Sequence, residues 1–197
     1  MAKAVIAYDK DLPEIPGRRP WEKPNSYLVK DDAAATGWRE ETSGRRSSRL
    51  LLVPKIRAAV DIWRAGDYEG ASEVTRRLFG YWFEEDHEVP GFGVPFRYYF
   101  CQREAIETLV WLVEVADQRD TQTLIQAYAT TFKKDLFSDN IVFQTTMDGR
   151  RQLRRYIPEL DAEGVQDLPP EDLRRFAFKM ATGSGKTWVM AMAIVWA

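Results

Sequence analysis

One cysteine and one histidine in 197 residues exclude several chemistries at the start. A single thiol, Cys101, can close no internal disulfide, which suits a reducing compartment. No set of Cys and His has metal-ligand spacing, so no zinc centre is expected. Long apolar runs are missing too. The longest, Val189–Ala197, is too short to span a bilayer, and Met1–Lys10 lacks the apolar core of a signal peptide. The chain is therefore expected to be cytoplasmic, with no membrane partner. Charge of one sign is also lacking: the formal net charge is -2, which gives no global basic field. Any contact with nucleic acid must come from local patches.

What is present is ordinary globular material, 45% hydrophobic and 29% charged, enough to bury a core. Residues 1–50 carry Pro13, Pro16, Pro20 and Pro24 and read as an extended arm, with Arg45–Ser48 an exposed turn. Residues 51–95 read as a helical hairpin. Ile56, Val60 and Trp63 mark the first helix, stopped by Gly66; Val74, Leu78, Tyr81 and Trp82 mark the second, over about Gly70–Phe83. The aromatics Trp63, Phe79, Tyr81 and Trp82 are expected in the core. Glu84–Gly93 reads as a loop. A third helix is expected over Cys101 to about Ala116, with Ile106, Leu109, Val110 and Val113 buried, and a fourth over Thr121–Lys134. Ile141–Met147 and Arg150–Ile157 flank Asp148–Gly149, a strong hairpin signal. Pro158–Asp172 reads as a loop, Arg175–Met180 as a buried strand, and Thr187 onward as a helix.

The chemistry sits in Phe176–Ala197, FAFKMATGSGKTWVMAMAIVWA. A strand running into a glycine loop and then a helix is the context of a P-loop. Gly183 and Gly185 remove side chains so that backbone N–H groups of Gly183–Thr187 can converge on one anion, helped by the helix N-terminus. Lys186 would reach the β- and γ-phosphates of ATP, and the Thr187 hydroxyl would complete Mg²⁺ coordination. The loop also contains Thr182 and Ser184. The general P-loop pattern wants Gly five residues before Gly185, where this chain has Met180.

With Met180 in that place, MATGSGKT (Met180–Thr187) resembles the first motif of superfamily 2 helicases of the DEAD/DEAH-box kind. It is most similar to the translocating subunit of type III restriction enzymes. FRYYFCQREAIETLVWLVE (Phe96–Glu114) resembles the upstream element in which a Gln opens a helix. Alone, Gln102 reads as a solvent-facing helix residue. The resemblance implies that it reads adenine, since a carboxamide matches N6 and N7, with an aromatic such as Phe100 packed on the base.

The resulting expectation is an α/β fold. An arm and a helical hairpin precede residues 96–197, an incomplete RecA-like ATP-binding lobe with a hairpin insert within 118–174. The helix reaches Ala197 with no C′ glycine, and no acidic box follows, so the chain is expected to be the N-terminal fragment of a longer ATP-dependent DNA helicase or translocase, itself inactive in hydrolysis. Implied partners are duplex DNA and a modification or specificity subunit. The alternatives are another P-loop enzyme, such as a small-molecule kinase, and a non-enzymatic interaction module with a vestigial P-loop. Arg150, Arg151, Arg154 and Arg155, with Lys133 and Lys134 nearby, read as a solvated strand edge rather than a phosphate contact. Cys101 reads as a buried structural thiol, not a nucleophile paired with His87.

Overall fold

The computed structural model describes residues 12–46, 48, 52–89, 91–116, 124, 142–157, 162–167 and 176–197. Among these the fold is mixed α/β, with four helices and three small antiparallel sheets. The proline-rich arm contains a hairpin, β1 (Tyr27–Lys30) and β2 (Trp38–Glu41), in register Tyr27↔Glu41 to Lys30↔Trp38. Its turn is held by the Asp31 carboxylate, which accepts from the Ala33 N–H at 3.0 Å, and by Gly37 at φ +71. Arg45 is no exposed turn residue: its guanidinium reaches Glu104 at 2.6 Å and lies 5.9 Å over the Phe100 ring.

Helix α1 (Leu52–Ala65) buries Val60 and Trp63, as the 3.6-residue period demands. Helix α2 (Glu73–Phe83) starts at an N-cap, with the Ser72 hydroxyl accepting from the Thr75 N–H at 3.1 Å. Its buried face is Thr75, Phe79 and Trp82; of the expected stripe Trp82 is buried and Leu78 half-buried, whereas Val74 and Tyr81 are exposed. The difference comes from the joint. Asp67 (φ +53) and Tyr68 (φ +55) turn the chain through the left-handed region, unusual for residues with a Cβ. Tyr68 is held there because its ring packs on Trp63 (5.0 Å) and Phe79 (4.8 Å) and its hydroxyl donates to Glu107 at 2.6 Å.

The stretch expected to be a loop at 84–93 instead contributes β3 (His87–Val89), paired with β4 (Val94–Phe96) around Gly91 and Gly93, both at positive φ. Helix α3 (Phe100–Val110) continues into a wider turn, Trp111–Val115. Ile106 and Val110 are buried as expected. The wide turn shifts the phase by about one residue, so Leu112 is the buried side chain and Val113 only half-buried. Of the helix expected over 121–134, only Leu124 lies within the described residues.

Strands β5 (Val142–Thr145) and β6 (Arg151–Ile157) form the hairpin that Asp148–Gly149 signals, with Gly149 at φ +81. The stretch expected to be a loop at 158–172 supplies a third strand, β7 (Ala162–Asp167), pairing with β6. Phe176–Met180 has no regular structure, against the strand expected there; Arg175 lies outside the described residues. A strand buried on both faces needs neighbours to take its backbone groups, and this segment belongs to none of the three sheets among the described residues. Helix α4 (Lys186–Trp196) follows.

One buried cluster gathers these pieces. It takes Val60, Trp63, Tyr68, Phe79 and Trp82 from the first half, Ile106 and Val110 from α3, and Val189 and Met192 from α4. Helix α3 is central, approached by α1 and by α4. The far end of α4 is pinned through Trp196, whose indole N–H donates to Thr75 Oγ1 (2.9 Å) and Glu114 Oε1 (3.1 Å). No helix among the described residues is long and apolar enough to cross a membrane.

Candidate nucleotide site

The glycine loop and the start of α3 are fastened together by one side chain. Gln102 stands at the third position of α3, where a Gln can reach back to the helix N-cap. Its Oε1 accepts from the Tyr99 N–H at 2.9 Å, and its Nε2 donates to the Ser184 carbonyl at 2.9 Å. The side chain is 3% exposed, which excludes the solvent-facing alternative.

The loop itself is built by two left-handed glycines, Gly183 (φ +78) and Gly185 (φ +74), the latter the N-cap of α4. Ser184 closes it: its N–H (3.3 Å) and hydroxyl (2.7 Å) both donate to the Ala181 carbonyl. A Cβ at 185 would stand 2.1 Å from Gln102 Nε2 and 3.2 Å from Trp188 Cδ1, so the tight packing here requires glycine. At 183 an added Cβ would meet nothing within 4 Å, and the space beside the loop is open. The Trp188 N–H donates to the Gly185 carbonyl at 3.0 Å. Ahead of it the N–H groups of Lys186 and Thr187, at the start of α4, have no acceptor earlier in the helix, and with the helix dipole they make an anion-accepting end. Lys186 and Thr187 occupy the first two helical positions, with exposed side chains; Thr182 is also exposed.

An open cleft of about 430 Å³ runs along this loop. Gln102, Gly183 and Gly185 line it, and Trp21, Phe96, Tyr99 and Trp188 supply its aromatic walls. Phe96 and Trp188 rings lie 5.0 Å apart, and Arg97 stacks 5.7 Å over Trp21. Phe100 is not among these walls. It is buried, 5.2 Å beneath the Arg64 guanidinium on another side of α3. The aromatics that do face the cleft come from the arm (Trp21), β4 (Phe96), the N-cap of α3 (Tyr99) and the first turn of α4 (Trp188); only Trp188 is close in sequence to the glycine loop.

The fit to a nucleoside triphosphate with Mg²⁺ rests on these features: a loop whose two left-handed glycines leave its backbone open at 183 and 185, a cation and a hydroxyl just after it, and an aromatic-walled cleft beside it. Among the described residues no group of three or more His, Cys, Asp or Glu is placed to hold a metal ion.

The other residues singled out fall into place separately. Cys101 is exposed, not buried, because position 2 of α3 faces away from the core. His87 turns from it and meets the Tyr81 carbonyl at 2.6 Å, its ring 4.8 Å from that of Tyr81. Arg150 is exposed and tied to Asp148 at 2.6 Å. Lys133 and Lys134 lie outside the described residues.

Between α1, α3 and the joint before α2 lies a buried charge cluster that no local pattern announces. Glu107, fully buried, accepts from Arg64 Nε at 2.9 Å, Arg103 Nε at 2.8 Å and Tyr68 OH at 2.6 Å. Burial pulls against the Arg64 charge, but Glu107 and Asp61 outweigh it and raise the guanidinium pKa further. Burial and the Glu107 charge push the Tyr68 hydroxyl well above its ordinary range. No family model, curated protein or solved structure matches this chain.

Proposed function

We propose that the chain is part of an ATP-driven, DNA-acting motor of the superfamily 2 helicase kind, similar to the translocating subunit of type III restriction enzymes. The observation that carries this reading is the bridge from Gln102 to Ser184. It joins two segments 82 residues apart, and these are the two stretches whose sequences resemble that family. In this reading the N–H groups of Gly183–Thr187 hold the β- and γ-phosphates of ATP, Lys186 neutralises them, and Thr187 offers one oxygen to Mg²⁺. Thr182 and Ser184 shape the loop. Bound Mg²⁺ would supply charge neutralisation on the phosphates.

Gln102 keeps a second amide proton and a second lone pair beyond its two protein bonds, enough to read adenine from the cleft floor. The base would rest among Trp21, Phe96, Tyr99 and Trp188 rather than on Phe100.

A RecA-like lobe is the architecture this reading implies. Helix α4 is apolar all round, yet it buries only Val189 and Met192 and leaves Met190 (63%), Ile194 (75%) and Val195 (63%) exposed. Phe176 and Phe178 in the preceding segment are exposed as well. Helices apolar on every side are normally covered on every side, and a parallel sheet is the layer that covers a P-loop helix.

The test is a comparison of ATP and GTP binding to the wild-type chain and to Gln102→Ala. Loss of the side chain slackens the loop for both nucleotides. ATP should lose about 1–3 kcal/mol more than GTP, the worth of a bidentate pair to adenine. Equal losses would reduce Gln102 to a holder of the loop, and absence of binding by the wild type would overturn the reading altogether.

A further inference from the structure

A second cavity of about 430 Å³ opens between the N-terminal arm and α1, and it shares no lining residue with the aromatic cleft. Its floor is a stripe of α1, Pro54, Arg57, Ala58 and Asp61, at the i, i+3, i+4, i+7 spacing of one helix face. The opposite stripe, with Val60 and Trp63, faces the core. Lys23, Arg45 and Arg46 complete the charged wall.

Two carboxylates serve these cations. Asp61 takes Lys23 at 2.8 Å and Arg64 at 2.6 Å; Glu104 takes Arg45 at 2.6 Å on one oxygen and Arg57 at 3.2 Å on the other. Arg46 is exposed and makes no ion pair with any described residue. Lys23, Arg45, Arg46 and Arg57 against Asp61 and Glu104 leave a local excess of two positive charges, in a chain whose net charge is -2. Arg45 and Arg57 each retain N–H donors beyond the single carboxylate oxygen they meet, and Arg46 meets none among the described residues, so the wall offers forked donors to an anion with several oxygens. Among the described residues no aromatic ring lines the cavity, so none of them can stack a base there.

We propose that this cavity holds the phosphodiester backbone of a nucleic-acid strand, with no readout of its bases. The choice of nucleic acid over another polyanion rests on the motor reading above; the cavity's geometry and charge do not. Such a contact positions a strand and gives affinity that falls with salt.

The experiment is fluorescence anisotropy with two labelled DNA duplexes of unrelated sequence, titrated with the whole chain over a range of salt and without nucleotide. The wild type should bind both equally. Arg46→Ala should weaken both alike and lower the slope of log affinity against log salt by about one. Arg76→Ala, an exposed arginine of α2 that changes the net charge equally, should leave the slope unchanged. Arg46→Ala should bind Mg²⁺ and ATP as the wild type does in a calorimetric titration, so that failure of the nucleotide site and failure of this cavity are told apart. Three outcomes would overturn the proposal: no DNA binding by the wild type, the same loss for Arg76→Ala as for Arg46→Ala, or displacement of DNA by a polyglutamate peptide at equal charge concentration.

Discussion

The α-carbon of Gly185 faces the amide of Gln102 so closely that a methyl group placed there would stand 2.1 Å from Nε2. Gln102 cannot yield without giving up its bonds to Tyr99 and Ser184. Gly185→Ala therefore carries two costs: left-handed strain at φ +74, about 1–2 kcal/mol, and a buried carboxamide left unpaired, about 1–3 kcal/mol. Gly183→Ala carries only the first, since its surroundings are open. Urea denaturation of the two variants should rank Gly185→Ala as clearly the more damaging. Equal costs would contradict the packing described.

Glu107 is the shared acceptor of α1, α3 and the joint before α2. Replacing it with Leu leaves Arg64 and Arg103, side chains 17% and 23% exposed, without their common counter-charge. Removing one partner of a buried pair costs about 3–5 kcal/mol. Glu22→Leu, which breaks the exposed pair with Arg19, should change stability little. Chemical denaturation of both variants checks the contrast.

Acid should loosen the fold through two carboxylates in particular. Burial alone would raise Asp61, but hydrogen bonds from Lys23 and Arg64 outweigh it and hold its pKa below the ordinary value. Burial likewise opposes Glu114, and the Ser72 N–H, Thr75 hydroxyl and Trp196 indole outweigh it. Both groups bind protons more readily when unfolded. Their stabilisation is thus whole above the ordinary carboxylate range, near pH 4, and is lost as pH falls through that range toward the lowered folded values. Denaturation midpoints should be flat near neutral pH and fall below about pH 4. Asp61→Asn and Glu114→Gln should each be less stable at neutral pH and show a shallower fall.

How far the sequence spoke depended on whether the signal was local. The Asp148–Gly149 turn, the α1 stripe ending in Val60 and Trp63, and the loop before α4 follow from spacing and from residues that tolerate positive φ, and all three are present. The phase of α2 was legible only in part: Phe79 and Trp82 are buried as expected, but Val74 and Tyr81 are exposed, and the turn that leads into the helix passes through Tyr68, a residue with a Cβ in the left-handed region that its buried contacts sustain. Strands β3 and β7 were hidden in acidic stretches with no alternating pattern. Of the site, Gln102 and the glycine loop were legible from motif resemblance. The cleft's aromatic walls and the arginine-lined cavity bring together residues far apart in sequence, and no periodicity links Trp21 with Trp188 or Lys23 with Arg57.

Whether the loop Thr182–Thr187 receives the phosphates of ATP is read most directly by calorimetric titration of the whole chain with Mg²⁺ and ATP, beside Lys186→Ala. Lys186 is exposed at the first position of α4, so its removal should leave the fold and its thermal midpoint unchanged. One-to-one binding to the wild type is expected, with at least tenfold weaker binding to the variant, a difference of about 1.4 kcal/mol or more. Binding of equal strength to both proteins would place the nucleotide elsewhere and contradict that assignment of the loop.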